Sequence, residues 1–122
     1  MKLLLDTHAF IWWDDGKLPP PVVRRIQRAD QVFVSAVSAW EIAIKASLGK
    51  MTARASVADA LEDYGFLELP VRAVHADALR RLPPLHRDPF NRMLVAQASS
   101  ENLAIVSRDA VLSGYKVPVV WD

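Results

Sequence analysis

Apolar positions along the chain alternate between short continuous runs and segments with helical spacing. The run KLLL ends abruptly at Asp6, which is typical of a strand buried on both faces. Pro118 places the last run at an edge of a sheet, because proline cannot donate a ladder hydrogen bond. Five runs predict β-strands: KLLL (2–5), QVFVSA (31–36), FLELP (66–70), LAIVS (103–107) and VPVVW (117–121).

The segments between these runs predict helices. Glycine follows two of them, at Gly49 and Gly65, and a proline pair at 83–84 stops a third. The last proline of the triplet 19–21 suits a first helical turn. Strands that alternate with helices predict an α/β fold, with a parallel sheet and helices on both faces. The predicted helices span 7–15, 21 to about 30, 38–49, 55–65, 73–82 and 89 to about 102, and a brief helical turn follows Asp109.

Composition narrows the class of protein. The chain has 122 residues, 52% hydrophobic and 24% charged, so we expect one compact domain over 1–122. It has no cysteine, which excludes disulfides and thiolate zinc sites, and a net charge of +1, so contacts with nucleic acid must come from local clustering. The amino-terminal apolar run is too short for an export signal, and no uncharged stretch approaches a bilayer span, so we expect a soluble cytoplasmic protein.

Acidic residues follow three of the predicted strands. They are Asp6, Glu41 in the segment that begins at Ser38, and Asp109, and parallel strands bring such residues to one edge of the sheet. The helix that opens with Asp88 and Asn91 should begin at the same edge. Each acid also has a structural explanation: Ser38 and Glu41 have the spacing of a capping box, and Asp88 and Asp109 are ordinary N-caps.

Taken together, these acids indicate a cation site. Carboxylates crowded at one edge repel each other unless their pKa values rise or a divalent cation neutralises them. Oxygen ligands favour Mg²⁺ or Mn²⁺ over zinc. Such an ion can activate water and neutralise the charge of a phosphate, which is metal-assisted phosphodiester hydrolysis.

Four segments of the chain resemble, in order and spacing, the motifs of PIN-domain ribonucleases, specifically the VapC-like toxins of bacterial toxin–antitoxin pairs. The resemblance implies a three-layer α/β/α sandwich with a mostly parallel sheet and a Mg²⁺- or Mn²⁺-dependent endoribonuclease. It also implies a homodimer, an RNA substrate and a cognate antitoxin that inhibits the enzyme. The segments are LLLDTHAFIW, SAVSAWEIAIKASLGK, LHRDPFNRMLVAQA and AIVSRDAVL.

The resemblance also assigns the site residues. Asp6 matches the first acid of the family, Glu41 the second and Asp109 the last, with Thr7 and Ser107 as supporting hydroxyl residues. The third acid departs from the pattern D-P-F-D, because Asn91 stands at its second aspartate, while Asp88 is retained. We therefore expect a weakened metal site with Asp6 as the chief ligand. The predicted catalytic set is Asp6, Glu41, Asp88, Asn91 and Asp109, of which the four acids hold the metal.

Basic residues near these motifs are candidate RNA contacts. Arg87, Arg92 and Arg108 flank the acids, and His86 could help them to hold phosphates. Lys45 lies four residues after Glu41, so it either forms an exposed helical ion pair or meets the RNA backbone. We expect His8 and His75 to be packing or surface residues, and no histidine is assigned to catalysis.

The tryptophans divide into two groups. Val37, Trp40, Ile44 and Leu48 recur at helical spacing, so we expect Trp40 to lie in the core, and Trp13 as well. Trp12 falls on another face and is a candidate contact for a second copy of the chain or an antitoxin segment.

Two alternatives to the nuclease remain open. A PIN fold that binds RNA or an antitoxin without cutting RNA is one, and Asn91 is the reason to consider it. A response-regulator receiver is the other, because its length and strand–helix alternation are similar. A receiver needs a second acid beside the one after the first strand and an aspartate after a mid-sheet strand, which this chain lacks.

Overall fold

The computed structural model describes residues 1–52 and 56–122. The predicted elements are present in the predicted order, and the predicted start of the fourth helix at residue 55 lies outside the described residues. None of the described helices is long and apolar enough to cross a membrane. The strands are β1 (Lys2–Leu5), β2 (Gln31–Ser35), β3 (Leu67–Leu69), β4 (Ala104–Val106) and β5 (Val119–Val120). The helices are α1 (Thr7–Asp14), α2 (Pro20–Gln27), α3 (Ala36–Ser47), α4 (Val57–Tyr64), α5 (Ala73–Leu79), α6 (Pro89–Glu101) and a 3₁₀ helix (Ala110–Gly114).

The described strands form one parallel sheet in the order β3-β2-β1-β4-β5. The central strand β1 pairs on one side with β2 and on the other with β4, so that Leu3 lies opposite Val32 and Ala104. The predicted parallel α/β fold is confirmed. The receiver alternative is wrong, because the flavodoxin-like order of receivers places β3, not β4, beside β1.

The leucines of β1 divide between two cores, one on each face of the sheet. Leu3 and Leu5 pack with Phe10 of α1 and Val22 of α2 on one face. Leu4 packs on the other face against a group dominated by α6, which includes Leu94, Val95 and Ala98. All three leucines are fully buried, and each contributes roughly 1.5–3 kcal/mol of hydrophobic free energy. This double burial fixes β1, and therefore the residue that follows it, at the centre of the molecule.

Helix α3 begins earlier than its sequence pattern predicts. Its N-cap is Ser35, whose Oγ accepts a hydrogen bond from the Val37 amide at 3.0 Å. The predicted capping box is therefore wrong, because Ser38 and Glu41 lie inside the helix. Both are on its buried face, together with Val37 and Ile42.

The predicted apolar stripe of α3 is also wrong, because the buried face of the helix is rotated away from the predicted one. Trp40 and Leu48 are 61% and 62% exposed. Trp40 lies against the edge of Phe90, with ring centroids 5.3 Å apart. Ser38 and Glu41 face the interior instead, because both side chains form hydrogen bonds with the buried Thr7 hydroxyl.

Aspartates begin three helices at one edge of the sheet. The predicted N-caps Asp88 and Asp109 are confirmed, since their Oδ1 atoms accept from the amides of Phe90 at 2.8 Å and Val111 at 3.0 Å. Asp6 is a third cap, and its Oδ1 accepts from the Ala9 amide at 2.8 Å. Each cap occupies one carboxylate oxygen and leaves the second free for another partner.

Candidate functional site

A polar cleft lies at the carboxyl ends of β1 and β4. The chain builds the sheet outward from β1 to β3 and then returns to the other side of β1 as β4, so the cleft lies at the topological switch point. Ligands of open parallel sheets bind at this point. The cleft measures about 400 Å³ and is lined by Asp6, His8, Trp12, His86, Asp88, Asn91, Arg108 and Asp109.

The Asp6 carboxylate is the most buried acid in this cleft. The residue is only 5% exposed, and its backbone amide donates to Val106 of β4 at 3.1 Å. Burial raises the pKa of Asp6 above its usual value, and the negative charge of Asp109 adds to this effect. Hydrogen bonds from the Ser107 hydroxyl and the Ala9 amide and the charge of His8 oppose the shift without cancelling it.

Asp109 has the opposite shift. Desolvation alone would raise the pKa of Asp109, but the hydrogen bonds that its carboxylate accepts from the His86 ring and the Val111 amide outweigh it. The pKa of this carboxyl is therefore lowered. The Ser107 Oγ also accepts from the Asp109 amide at 3.0 Å, so Ser107 contacts both Asp6 and Asp109.

His86 connects Asp88 to Asp109. Its Nδ1 accepts a hydrogen bond from the Asp88 amide at 3.0 Å, so the ring proton is on Nε2. That nitrogen lies 2.8 Å from Asp109 Oδ2 and donates to it. The sequence pattern groups His86 with the candidate phosphate contacts and does not reveal this role, because no local pattern links two residues so far apart in the chain.

Asn91 lies between Asp88 and His86. Its Nδ2 is 3.4 Å from Asp88 Oδ2 and 3.3 Å from His86 Nε2. Since the histidine nitrogen donates to Asp109, the amide hydrogen bond goes to Asp88. An aspartate at position 91 would instead place a second negative charge beside that carboxylate.

Glu41 is buried next to the cleft rather than in its wall. Its Oε1 lies 2.7 Å from Thr7 Oγ1, which is also 2.9 Å from Ser38 Oγ. A hydroxyl has one proton and a carboxylate has none, so Thr7 donates to Glu41. The other oxygen, Oε2, accepts from Lys45 Nζ at 2.8 Å. Glu41 is therefore hydrogen-bonded to Thr7, the neighbour of Asp6, and does not line the cleft.

The ion pair of Lys45 differs from the exposed pair that the sequence predicts. The Lys45 side chain is 39% exposed, but that of Glu41 is only 4% exposed. Lys45 therefore compensates a buried charge, and the structure gives it no position in the cleft wall.

The candidate arginines occupy three different environments. Arg108 lines the cleft, and its guanidinium carbon lies 4.8 Å from the centre of the Trp12 ring. The guanidinium of Arg92 donates to the Pro83 carbonyl at 2.9 Å and to the Tyr115 hydroxyl at 3.3 Å, which ties the preceding loop to α6. Arg87 is exposed and does not line the cleft. The structure therefore brings only Arg108 together with the acids.

The donors of the cleft suit a hard divalent cation. Its oxygen donors are three carboxylates and an amide, the rings of His8 and His86 also line it, and no cation hydrogen-bonds to the buried carboxylate of Asp6 among the contacts described above. Within residues 1–52 and 56–122, however, no group of three or more acids and histidines is close enough to hold a metal ion. Asp109 Oδ2 is bound to His86, so a cation must compete with that hydrogen bond.

The PIN-domain family model matches residues 3–117. The chain belongs to the PIN-domain family. Solved structures share this PIN fold over nearly the whole chain at low identity. VapBC2 from Rickettsia felis, bound to a promoter DNA fragment, matches with a TM-score of 0.75 at 12% identity and covers 100% of both chains. DNA-bound VapBC from Salmonella typhimurium gives 0.71 at 17% identity and covers 98% of this chain and 97% of the other.

FitAcB from Neisseria gonorrhoeae is a third structure with the PIN fold. Its TM-score is 0.68 at 18% identity, and the match covers 98% of this chain and 96% of the other. A sequence comparison with curated proteins finds no match. The structural likeness therefore establishes the fold of this PIN domain, and its chemistry must be argued from its own residues.

Asp6→Asn should stabilise the metal-free PIN domain at pH 7. The raised pKa of Asp6 means that the folded state binds the proton more tightly than the unfolded state, so the charge costs stability as pH rises above the unfolded value of about 3.9. Asparagine removes the charge and keeps the helix cap. We expect Tm in EDTA to rise by roughly 3–6 °C, about 1 kcal/mol at this chain length.

The gain should shrink as the pH falls through the raised folded pKa of Asp6 and disappear well below the unfolded value of about 3.9, where Asp6 is protonated in both states. Asp77→Asn, at an exposed acid of α5, is the matched control and should change Tm little. A lower Tm for Asp6→Asn at pH 7, or a gain independent of pH, would contradict the assignment of a buried charge that the protein compensates only in part.

Lys45→Ala should destabilise the domain by about 1–2 kcal/mol in urea unfolding. Removing one partner of a buried pair leaves the Glu41 carboxylate with a single donor, and the exposure of Lys45 moderates the cost. The control Lys50→Ala removes an exposed lysine and should stay within about 0.5 kcal/mol of the parent. Equal effects of the two substitutions would show that the ion pair contributes nothing specific.

Proposed function

We propose that this PIN domain is a metal-dependent endoribonuclease of the VapC-like toxin type. The observation that carries the proposal is the convergence of Asp6, Asp88, Asn91 and Asp109 on one cleft at the switch point of the sheet. Arg108 adds a positive charge at the same place. This combination of oxygen donors and one cation suits the phosphodiester of an RNA strand.

The proposed ligands of Mg²⁺ or Mn²⁺ are Asp6, Asp88 and Asp109, with Asn91 as a neutral member and Glu41 held nearby through Thr7. A bound divalent cation supplies charge neutralisation for the phosphate and activation of water. Asp6 is the chief ligand in this proposal, because its charge is the most buried and gains most from a cation.

The other residues of the cleft orient these groups. His86 and Ser107 hold Asp109 from two sides, through Oδ2 and the backbone amide. Ser107 also donates to Asp6, which keeps the two acids in a fixed relation. Arg108 is the one candidate arginine placed to bind a substrate phosphate inside the cleft.

The proposed partners are an antitoxin protein and a second copy of the chain. The support is the likeness of fold to VapBC2 from Rickettsia felis and VapBC from Salmonella typhimurium, together with the family resemblance.

A non-catalytic PIN domain that binds RNA or an antitoxin is the second candidate. Two observations favour it: a neutral asparagine at position 91, and protein donors on the second oxygens of Asp88 and Asp109. In that case the cleft would be a recognition surface without hydrolysis.

Cleavage of single-stranded RNA in Mn²⁺ separates these two candidates. We expect the parent protein to cut RNA, EDTA to abolish the reaction, and Asp6→Asn to reduce the rate at least about a hundredfold, because the chief ligand loses its charge. Gel analysis of end-labelled RNAs of varied sequence provides the measurement, with Asp77→Asn as the active control. Binding of RNA without cleavage of any of them would support the non-catalytic module.

Asn91→Asp should restore the full acidic set. We expect isothermal titration to show Mn²⁺ binding about tenfold more tightly, because the added charge attracts the cation. In EDTA the same variant should be less stable than the parent, since the new carboxylate repels Asp88. Equal Mn²⁺ affinities of the parent and the variant would show that Asn91 does not weaken metal binding.

A further inference from the structure

One side of the cleft is formed by two aromatic rings and a planar guanidinium group rather than by carboxylates. His8, Trp12 and Arg108 form this side, which we name the aromatic wall. The rings of His8 and Trp12 are 5.8 Å apart, and the Arg108 guanidinium lies 4.8 Å from the centre of the Trp12 ring. The sequence pattern did not indicate this arrangement, because Trp12 and Arg108 are far apart in the chain.

The Trp12 ring is held in place by Trp121 and by the core beneath α1. Trp121 contacts it edge-on, with ring centroids 6.0 Å apart and planes at 68°. Both tryptophans pack against the core that contains Leu3 and Leu5. Trp12 is nevertheless partly exposed and lines the cleft, so its ring is fixed by the core but is not fully buried in it. A preorganised ring loses little conformational entropy when a ligand stacks on it.

The aromatic wall lies directly beside the acids. Arg108 precedes Asp109 in the chain, and His8 follows Asp6 by two positions. Carboxylates repel a phosphate that approaches without a counter-ion, but they do not repel a neutral nucleobase. Bases stack on aromatic side chains and on the planes of arginine guanidinium groups.

We propose that the aromatic wall is a base-binding subsite that accepts one unpaired nucleobase on the exposed Arg108 guanidinium, which itself lies over the Trp12 ring and is supported by it. The proposal rests on the function proposed above, since the base belongs to the RNA substrate. The subsite requires an unpaired base, because the faces of paired bases are covered by their neighbours in a duplex. Arg108 contributes both a stacking plane and a positive charge for the adjoining phosphate.

Binding measured in EDTA tests the subsite without any cleavage. Fluorescence anisotropy of a labelled short single-stranded RNA is compared with the same strand annealed to its complement, and with the same strand carrying abasic positions. We expect the intact single strand to bind at least about tenfold more tightly than either, because only its unpaired bases can stack on the wall. Equal affinities for the intact and abasic strands would overturn the subsite, and this comparison needs no protein variant.

Substitutions locate the effect on the wall. Trp12→Ala should weaken binding of the intact strand about tenfold and leave binding of the abasic strand unchanged, whereas Trp12→Phe should retain most of the affinity. Trp40→Ala is the matched control, because Trp40 is an exposed tryptophan outside this cleft. Unchanged binding by a folded Trp12→Ala protein, or an equal loss with Trp40→Ala, would overturn the proposal.

The two proposals fail in different ways. If the parent protein cuts RNA in Mn²⁺ but binds the intact and abasic strands with equal affinity, the subsite is wrong and the nuclease proposal stands. If stacking is seen in EDTA but no RNA is cut in Mn²⁺, the nuclease is wrong and the subsite stands. The absence of any RNA binding would overturn the subsite.

Discussion

The buried charge of Asp6 is the constraint on which the rest of the site depends. The strand before it is buried on both faces of the sheet, so this carboxylate is fixed at the centre of the molecule with little access to water. An ionised group in that position is costly unless hydrogen bonds or a cation compensate it. The surrounding structure supplies a helix N-terminus and the Ser107 hydroxyl, and the raised pKa shows that they do not compensate fully. A divalent cation would complete that compensation.

The acids of the cleft combine a structural and a chemical role. Asp6, Asp88 and Asp109 each begin a helix with one oxygen, so the interactions that fold the edge of the sheet also orient the second oxygens. This explains why the capping and the functional interpretations of these residues do not exclude each other. Glu41 differs from these acids, because Lys45 and Thr7 already compensate its charge with an ion pair and a hydrogen bond. It therefore links the stability of α3 to the position of the residue next to Asp6.

The sequence predicts the strands, the parallel sheet, the caps at Asp88 and Asp109 and the meeting of Asp6 with Asp109, because local spacing and parallel topology determine them. It fails where a contact between distant segments decides the outcome. The Thr7 hydroxyl turns Ser38 and Glu41 inward, which shifts the buried face of α3 and leaves Trp40 exposed. The contact of His86 with Asp109 and that of Arg108 with Trp12 likewise depend on loops that the sheet brings together.

The most direct test of a shared cation site is a crystal structure of this protein grown with Mn²⁺, with the metal located by anomalous scattering. We expect an anomalous peak for Mn²⁺ in the cleft at bonding distance from the carboxylates of Asp6 and Asp109, with His86 displaced from Asp109 Oδ2. A fully occupied cation elsewhere on the protein, with this cleft empty and the His86–Asp109 hydrogen bond intact at saturating Mn²⁺, would contradict it.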